Sequence, residues 1–377
     1  MNGGKGVIVA GNMVTAYGPG TGVCWKGLMS GQTAIRPFDR FDTGLFQSRH
    51  AGIVPGLTRD EDGSIVMRML RMLFKKNERA IPQDALLLLA TTVGEIDYLE
   101  QAVLGGREAK PEESRLVCLL GKVEALAGVT PPGMVVSAAC SSSSAAVAQG
   151  AAMIQSGERD CVLVVACDSV SEFVFSGFSA LFALDPEPAA PFDQNRKGLS
   201  AGEAAGFVLL MSEARALKEQ WEIQGEIAGW GLSNDASHMT GPSREGLGLA
   251  RAIEEALKKA EIPSSGVAGI SAHGTGTPYN DAMEMKAFKS VFGTRAVPTY
   301  SIKGGIGHTM GAAGLIEILI ALQSLKEKKV PPTVGLKEVD ADARGWVSRE
   351  ACLFEGNSIL LTNSGFGGVN AALVLRA

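Results

Sequence analysis

Short apolar runs rich in β-branched residues, each the length of one strand, recur along this chain and constrain its fold more than any other feature. They occupy residues 6–10, 134–137, 161–166, 207–211 and 369–375. Because the runs are apolar on both faces, they are typical of strands that helices cover on both sides. Helix-like segments lie between them, at residues 142–155, 249–261, 281–292 and 314–326. This alternation predicts an α/β fold with mostly parallel sheets.

A charged, strand-free segment at residues 213–221 predicts the joint between two domains, residues 1–220 and residues 221–377. Each part contains a strand that leads to a reactive side chain and then to a helix of small residues. In the first part the reactive residue is Cys140, and in the second part Lys303 and His308 follow the strand. The shared layout indicates a duplicated unit, although the two segments have almost no sequence identity.

Composition and charge exclude several classes of function. The 377 residues are 46% hydrophobic and 20% charged, and the net charge of −5 comes with no basic tract. Nucleic acid and anionic membranes are therefore poor partners. No apolar run approaches the roughly 18 residues of a membrane span, and no signal peptide is visible. Six scattered cysteines without a Cys-x-x-Cys pair predict reduced thiols in the cytosol.

Cys140 lies at a junction between a strand and a helix, within the segment Ser-Ala-Ala-Cys-Ser-Ser-Ser-Ser at residues 137–144. The thiolate is the nucleophilic form of cysteine, and the free N–H groups of a helix N-terminus lower the pKa of a thiol. The serines that follow can cap the same terminus. We therefore predict that Cys140 is a nucleophile, with a buried structural cysteine as the alternative.

Two of the four histidines lie in glycine-rich loops at the ends of strands. His273 begins the loop His-Gly-Thr-Gly-Thr-Pro, and His308 lies in the Gly/Ala-rich segment 303–314. Such loops allow an imidazole to approach a substrate closely. A thiolate can attack a thioester and hold the acyl group, and two neutral Nε2–H donors can stabilise the enolate that forms as CO2 leaves a malonyl group. The three residues together therefore indicate acyl transfer followed by decarboxylation.

The order and spacing of these motifs resemble the β-ketoacyl-acyl-carrier-protein synthases of the elongating, Cys-His-His type. The resemblance covers nearly the whole chain. The first three motifs are Ala-Cys-Ser-Ser-Ser around Cys140, His-Gly-Thr-Gly-Thr from His273, and a lysine five residues before His308. Four lesser motifs also match, namely Pro-Phe-Asp at 191–193 with Arg196, and the segments 235–240, 331–333 and 363–370.

The resemblance implies a thiolase-like α/β fold with five αβαβα layers built from two similar halves. It also implies a decarboxylative Claisen condensation of an acyl thioester with malonyl-acyl-carrier-protein, in fatty-acid or polyketide biosynthesis. Both substrates would arrive on the phosphopantetheine arm of acyl carrier protein, with no metal or redox cofactor. We further expect a cytoplasmic homodimer that binds neither nucleic acid nor membrane.

The family's catalytic residues correspond to specific positions in this chain. Cys140 resembles the acylated nucleophile, and its N–H and that of Phe366 would form the oxyanion hole. His273 and His308 resemble the pair that binds the malonyl thioester and promotes decarboxylation. Lys303 resembles the lysine that orients and polarises the site.

Further residues resemble supporting and substrate-binding positions. Asp281 and Glu317 match the supporting carboxylates, with ordinary surface acids as the alternative. Phe366 also resembles the gating phenylalanine beside the cysteine. His238 belongs to a family motif, but we expect it to be structural. The residues that match those binding the phosphopantetheine arm are Thr240, Thr275 and Thr277.

The chain departs from the family pattern at four places, one of which is Glu-Ala-Ala-Gly at residues 203–206 in place of Glu-Gly-Ala-Gly. Arg196–Leu199 reads Arg-Lys-Gly-Leu where the family usually has Arg-Asp-Gly-Phe, and the Phe366 loop is one residue shorter. The segment 87–129, which would cover the acyl pocket and help to form the dimer, is also short. We expect these changes to alter the preferred acyl-chain length and to leave the chemistry intact.

Related enzymes differ at diagnostic positions. A thiolase would carry a second catalytic cysteine where this chain has residues 365–368, and the priming synthases have asparagine where it has His308. A non-catalytic partner subunit or a binding protein of the same fold remains the alternative. Acylation of Cys140 by an acyl thioester distinguishes the enzyme from that alternative.

Overall fold

The predicted strands and helices are all present in the computed structural model, which describes residues 4–58, 63–75, 79–104 and 110–377. The strands are β1 Gly6–Thr15, β2 Gly18–Pro19, β3 Arg36–Pro37, β4 His50–Gly52, β5 Leu86–Ala90, β6 Met134–Val136, β7 Cys161–Asp168, β8 Ala201–Gly202, β9 Ala204–Ser212, β10 Gly225–Asn234, β11 Gly269–Ser271, β12 Thr299–Tyr300, β13 Lys329–Val330, β14 Cys352–Leu353, β15 Ser358–Gly365 and β16 Val369–Arg376. The helices are α1 Thr21–Met29, α2 Ile65–Phe74, α3 Ile96–Val103, α4 Leu116–Ala127, α5 Ser142–Ser156, α6 Glu172–Ala180, α7 Glu213–Lys218, α8 Leu247–Lys259, α9 Pro278–Phe292, α10 Lys303–Ile306 and α11 Ala313–Glu327.

The main strands form two halves with the same topology, joined at the middle. The order along the path is β12-β11-β15-β16-β10-β1-β9-β7-β5-β6. Strands β1 and β10 meet at the centre, where Val7 pairs with Glu226 and Ile8 pairs with Gly225. Outward from this junction, each half has two antiparallel pairings followed by two parallel pairings. The prediction of two similar halves is therefore confirmed.

Helices α5 and α11 lie between the halves and contact strands of both. Helix α11 is buried on every side from Ala313 to Leu322, as expected for an apolar helix inside a protein. Small residues let the strands approach α5 closely, because a Cβ atom at Gly150 would lie only 3.0 Å from Leu210 Cδ1. Helices α2 and α4 cover the outside of the first half, and α8 and α9 cover the second. These layers form the predicted αβαβα arrangement.

The prediction of mostly parallel sheets is wrong. Parallel pairing occurs only towards the two ends of the main path, and antiparallel pairing joins its middle strands β7, β9, β1, β10, β16 and β15. The middle strands β9 and β16 are buried along nearly their whole length, because helices cover both of their faces. A strand covered on both faces is apolar throughout in either direction, so its composition does not reveal how it pairs.

Helix α7 occupies most of the segment 213–221 that was predicted as the domain joint, between the last strand of one half and the first strand of the other. The division at residues 220 and 221 stays a prediction. Among the residues described, no helix combines the length and the apolar character needed to cross a bilayer.

Candidate active site

Cys140 follows a strained turn between β6 and α5. Ala139 has a φ of 48°, a left-handed conformation that is costly for any residue with a Cβ atom. The hydroxyl of Ser142 holds the turn, since it accepts a hydrogen bond from the Ala138 N–H at 2.9 Å and donates to the Ala139 carbonyl at 2.6 Å. The turn therefore fixes where the sulfur lies.

The serines after Cys140 do not cap α5, contrary to prediction. The Ser141 hydroxyl donates to the Val369 carbonyl at 3.2 Å, and the Ser143 hydroxyl accepts the Leu315 N–H at 3.0 Å. Ser144 donates a short hydrogen bond to Asn363 Oδ1. Each of these partners belongs to the second half, so the serines attach the cysteine-bearing helix to the opposite half instead.

Two backbone N–H groups stand beside the sulfur of Cys140. The N–H groups of Cys140 and Phe366 both donate towards it, and Gly365 permits this approach because a Cβ atom there would lie 3.0 Å from the Cys140 nitrogen. Burial raises the pKa of the thiol to about 11. The prediction of a lowered pKa is wrong, because the loss of solvent outweighs the nearby charge of Lys303 and the two N–H donors.

His273 and His308 lie side by side, with ring centroids 5.1 Å apart. His308 Nδ1 accepts the Met310 N–H at 3.2 Å, and His273 Nδ1 lies 3.3 Å from Lys303 Nζ, an ammonium that can only donate. Burial, with the charge of Lys303, holds the pKa of both imidazoles well below the usual range. Each neutral ring therefore carries its proton on Nε2, as predicted.

Lys303 and Glu317 form a buried ion pair beside His273. Lys303 Nζ lies 2.5 Å from Glu317 Oε1 and 2.5 Å from the His273 carbonyl oxygen. The amide of Asn363 donates to the other Glu317 oxygen at 2.6 Å and lies 3.3 Å from His273 Nδ1. Burial raises the pKa of Glu317, and the charge of Lys303 opposes this shift. Glu317 is thus no surface acid, and it orients Lys303.

Asp281 is also buried, but it supports a loop and does not contact Lys303. It accepts the N–H groups of Thr275 at 3.0 Å and Gly276 at 3.2 Å, next to His273. Sequence reasoning missed Glu284, which accepts the His273 N–H at 2.7 Å and whose pKa burial raises to about 7. Its spacing of three residues from Asp281, on one helix face, is the signal that could have revealed it.

A second missed residue, Asp168, connects the two halves next to the site. This fully buried carboxylate accepts the Thr91 hydroxyl at 2.8 Å in its own half and the Gly311 N–H at 2.8 Å in the other. Gly311 follows Met310, whose N–H donates to His308. An acid that ends the apolar run at 161–166 is an unusual feature, and it could have drawn attention to this position.

One pocket of about 400 Å³ brings the predicted residues together. Cys140, His273 and His308 line it, as do the predicted substrate-binding residues Thr240, Thr275, Thr277 and Phe366. Lys303, Glu317 and Asp281 lie behind this lining and hold it in place.

Two predicted residues also have structural roles at this pocket. The Thr277 hydroxyl caps α9 by accepting the Asn280 N–H at 3.4 Å. His238 Nδ1 accepts the Thr240 N–H at 3.1 Å and so supports its own turn, as expected.

The short segment 87–129 does not line this pocket in the part that the structure describes. Residues 105–109 of that segment lie outside the described residues. Its effect on acyl-chain length stays a prediction.

Comparisons with known proteins agree with this arrangement. The family models for the β-ketoacyl synthase N-terminal and C-terminal domains match residues 118–216 and 224–337. A 3-oxoacyl-[acyl-carrier-protein] synthase 2 of Vibrio cholerae is 30% identical over 98% of each chain. A putative polyketide β-ketoacyl synthase 1 of Streptomyces halstedii is 32% identical over 98% of this chain and 97% of its own.

Solved structures give the same result. The ishigamide ketosynthase/chain length factor matches with a TM-score of 0.87 and 29% identity, over 100% of this chain and 99% of its own. A ketosynthase (ApeO) solved in complex with its chain length factor (ApeC) from Xenorhabdus doucetiae matches with a TM-score of 0.85 and 27% identity, over 99% and 98% of the two chains.

Proposed function

This chain belongs to the β-ketoacyl synthase family, and we propose that it lengthens an acyl chain by decarboxylative condensation. One observation carries the proposal. A single pocket places the Cys140 thiol, with two backbone N–H donors, beside two neutral imidazoles that present Nε2–H groups. A non-catalytic partner subunit would have no use for this combination.

In the first step, Cys140 takes the acyl group. Its sulfur attacks the thioester carbonyl, and the N–H groups of Cys140 and Phe366 stabilise the oxyanion that forms. The C–S bond to the carrier arm then breaks, and the departing thiolate takes up the proton that Cys140 has lost. Because burial raises the pKa of the resting thiol to about 11, only a small fraction of Cys140 is thiolate near neutral pH.

In the second step, a malonyl thioester loses CO2. His273 and His308 donate from Nε2 to its thioester oxygen, so the electrons of the breaking C–C bond form an enolate. The enolate carbon attacks the acyl group on Cys140, and the cysteine sulfur leaves to give a 3-oxoacyl thioester. Burial and the charge of Lys303 keep His273 neutral, and Lys303 also holds the orientation of its ring.

We propose acyl carrier protein as the partner. Its phosphopantetheine arm would carry both substrates into the pocket as thioesters. Thr240, Thr275 and Thr277 line the route along which the arm would enter. The thiol, the imidazoles and the backbone donors supply each step, so the proposed mechanism uses no metal or redox cofactor. We place the reaction in the cytoplasm, where the free cysteines stay reduced.

We also propose a homodimer. In the described part of the chain, β6 ends the strand path and pairs only with β5, so its other edge is available to a second strand. Light scattering coupled to gel filtration tests this assembly, and a dimer that forms only with a second, different subunit would contradict it.

Mass spectrometry tests the reaction directly. The protein is incubated with acyl-carrier-protein thioesters from acetyl to palmitoyl, and the mass added at Cys140 is read after proteolysis. Malonyl-acyl-carrier-protein is then added, and a 3-oxoacyl product with release of CO2 is expected. Absence of acylation with every thioester would overturn the proposal, and the acyl group that reacts fastest identifies the preferred chain length.

A further inference from the structure

Large apolar side chains surround the mouth of the active-site pocket and point into solvent. Leu181, Phe182 and Tyr279 line the pocket and are exposed, so they lie at its mouth. Met239 lies between the mouth residues His238 and Thr240. Phe182, Met239 and Tyr279 are 83%, 82% and 73% exposed. We refer to Leu181, Phe182, Met239 and Tyr279 as the mouth rim.

Phe182 is the least expected member of the rim. It follows the end of α6 with a φ of 52°, a position where glycine is favoured because it has no Cβ atom. The chain thus accepts an unfavourable backbone conformation and also exposes a phenyl ring to water. Because neither feature stabilises the folded monomer, the ring at this position indicates a contact outside the chain.

Basic side chains stand next to this apolar rim. Lys197 lines the mouth, and Arg244 lines an adjoining groove that shares Tyr279 and His238 with it. Within the described residues, no carboxylate forms an ion pair with either side chain. A phosphopantetheine arm carries its phosphodiester at the end attached to the carrier. The anion therefore lies near the mouth whenever the thioester reaches Cys140.

We propose that the mouth rim docks acyl carrier protein through apolar contacts, with Phe182 as the main anchor and Lys197 and Arg244 facing the phosphodiester. This proposal rests on the proposed function. It identifies the surface that receives the carrier. Apolar anchors surrounded by polar groups are where binding energy concentrates in protein interfaces.

The test compares Phe182→Asn with Leu353→Asn. Asparagine tolerates the left-handed backbone at residue 182, so the end of α6 is retained. Leu353 is 80% exposed on β14 and does not line the pocket, which makes it a matched control. Binding of a fatty-acid holo-acyl carrier protein is measured by calorimetry, and kcat/KM is measured with carrier-bound thioesters and with carrier-free acyl- and malonyl-pantetheine.

Phe182→Asn is expected to weaken carrier binding and kcat/KM with carrier-bound substrate by about tenfold, as loss of an interface anchor does. Carrier-free kcat/KM should change by less than about twofold, and Leu353→Asn should change none of the three. Equal losses with carrier-bound and carrier-free substrates, or unchanged carrier binding, would overturn the docking proposal. If the wild-type protein binds the carrier but forms no product, the proposed reaction fails, and weaker carrier binding by Phe182→Asn alone then decides the docking surface.

Discussion

The turn before α5 in the first half and the turn before α11 in the second occupy equivalent places in the duplicated topology. Each contains a non-glycine residue with positive φ, Ala139 at 48° and Met310 at 54°. The first turn leads to the thiol of Cys140. The second follows His308, and its Met310 N–H fixes the protonation of that imidazole. The same backbone device therefore positions a nucleophile in one half and a hydrogen-bond donor in the other.

The surroundings of the two turns differ in charge. Two backbone N–H groups donate towards the sulfur of Cys140, whereas the buried pair Lys303–Glu317 stands beside His273. Backbone donors suit an acyl transfer at neutral thioesters. Charged and imidazole groups suit the removal of CO2, because negative charge develops on the substrate in that step. The difference indicates that the backbone donors beside the sulfur serve acyl transfer and that the imidazoles serve the loss of CO2.

The largest effect is expected at Cys140. Cys140→Ala should abolish acyl-enzyme formation and condensation without unfolding the protein, since the change removes only one sulfur atom. Cys140→Gln should retain decarboxylation of malonyl-acyl-carrier-protein, because its amide resembles an acylated cysteine and the second half is unchanged. Intact-mass and CO2-release assays check both. Condensation by the alanine variant at the wild-type rate would exclude Cys140 as nucleophile.

The next effect concerns stability in the second half. Glu317→Gln leaves the Lys303 charge buried without its partner, which should lower the free energy of unfolding by about 3–5 kcal/mol. Glu327→Gln, at the exposed end of the same helix, should cost less than about 0.5 kcal/mol. Urea denaturation measures both variants. A cost below about 1 kcal/mol for Glu317→Gln would show that the pair is not essential to the fold.

The histidines should separate the two steps. His273→Ala or His308→Ala removes a donor to the enolate oxygen, so condensation should fall about 100-fold or more, as it does when an oxyanion-hole donor is lost. Acylation of Cys140 should fall much less, because the N–H groups of Cys140 and Phe366 stabilise the oxyanion in that step. Single-turnover acylation is compared with product formation. Equal loss in both steps would show that the backbone donors and the imidazoles do not serve separate steps.

Much of the active site could be predicted from sequence, because motifs at strand ends locate a site whatever the direction of the strands. The positions of Cys140, His273 and His308 followed from such motifs. The pairing of β9 and β16 did not, since helices cover both faces and the apolar composition is the same in either direction. The direction of a strand depends on how the chain connects it to its neighbours, and the composition of the apolar run does not record it.

Other predictions were wrong because a long-range contact replaced the local interaction that the sequence suggested. Ser141, Ser143 and Ser144 could each serve as a helix cap, but partners from the other half use their hydroxyls. Asp168 was missed because its partners, Thr91 and Gly311, are distant in sequence, and Gly311 becomes a neighbour only when the halves join. Local sequence patterns therefore do not reveal the contacts between the two halves.

The smallest expected effect tests one such contact. Since burial raises the pKa of Cys140 to about 11, alkylation of the resting enzyme by iodoacetamide should rise about tenfold per pH unit between about pH 7 and pH 10. The negative charge of Asp168 also raises this pKa. Asp168→Asn should therefore lower it and speed alkylation a few-fold at fixed pH, whereas Asp160→Asn, an exposed acid just before β7, should not. A plateau below pH 9, or equal rates in the two variants, would show that burial and the cross-half carboxylate do not control the thiol.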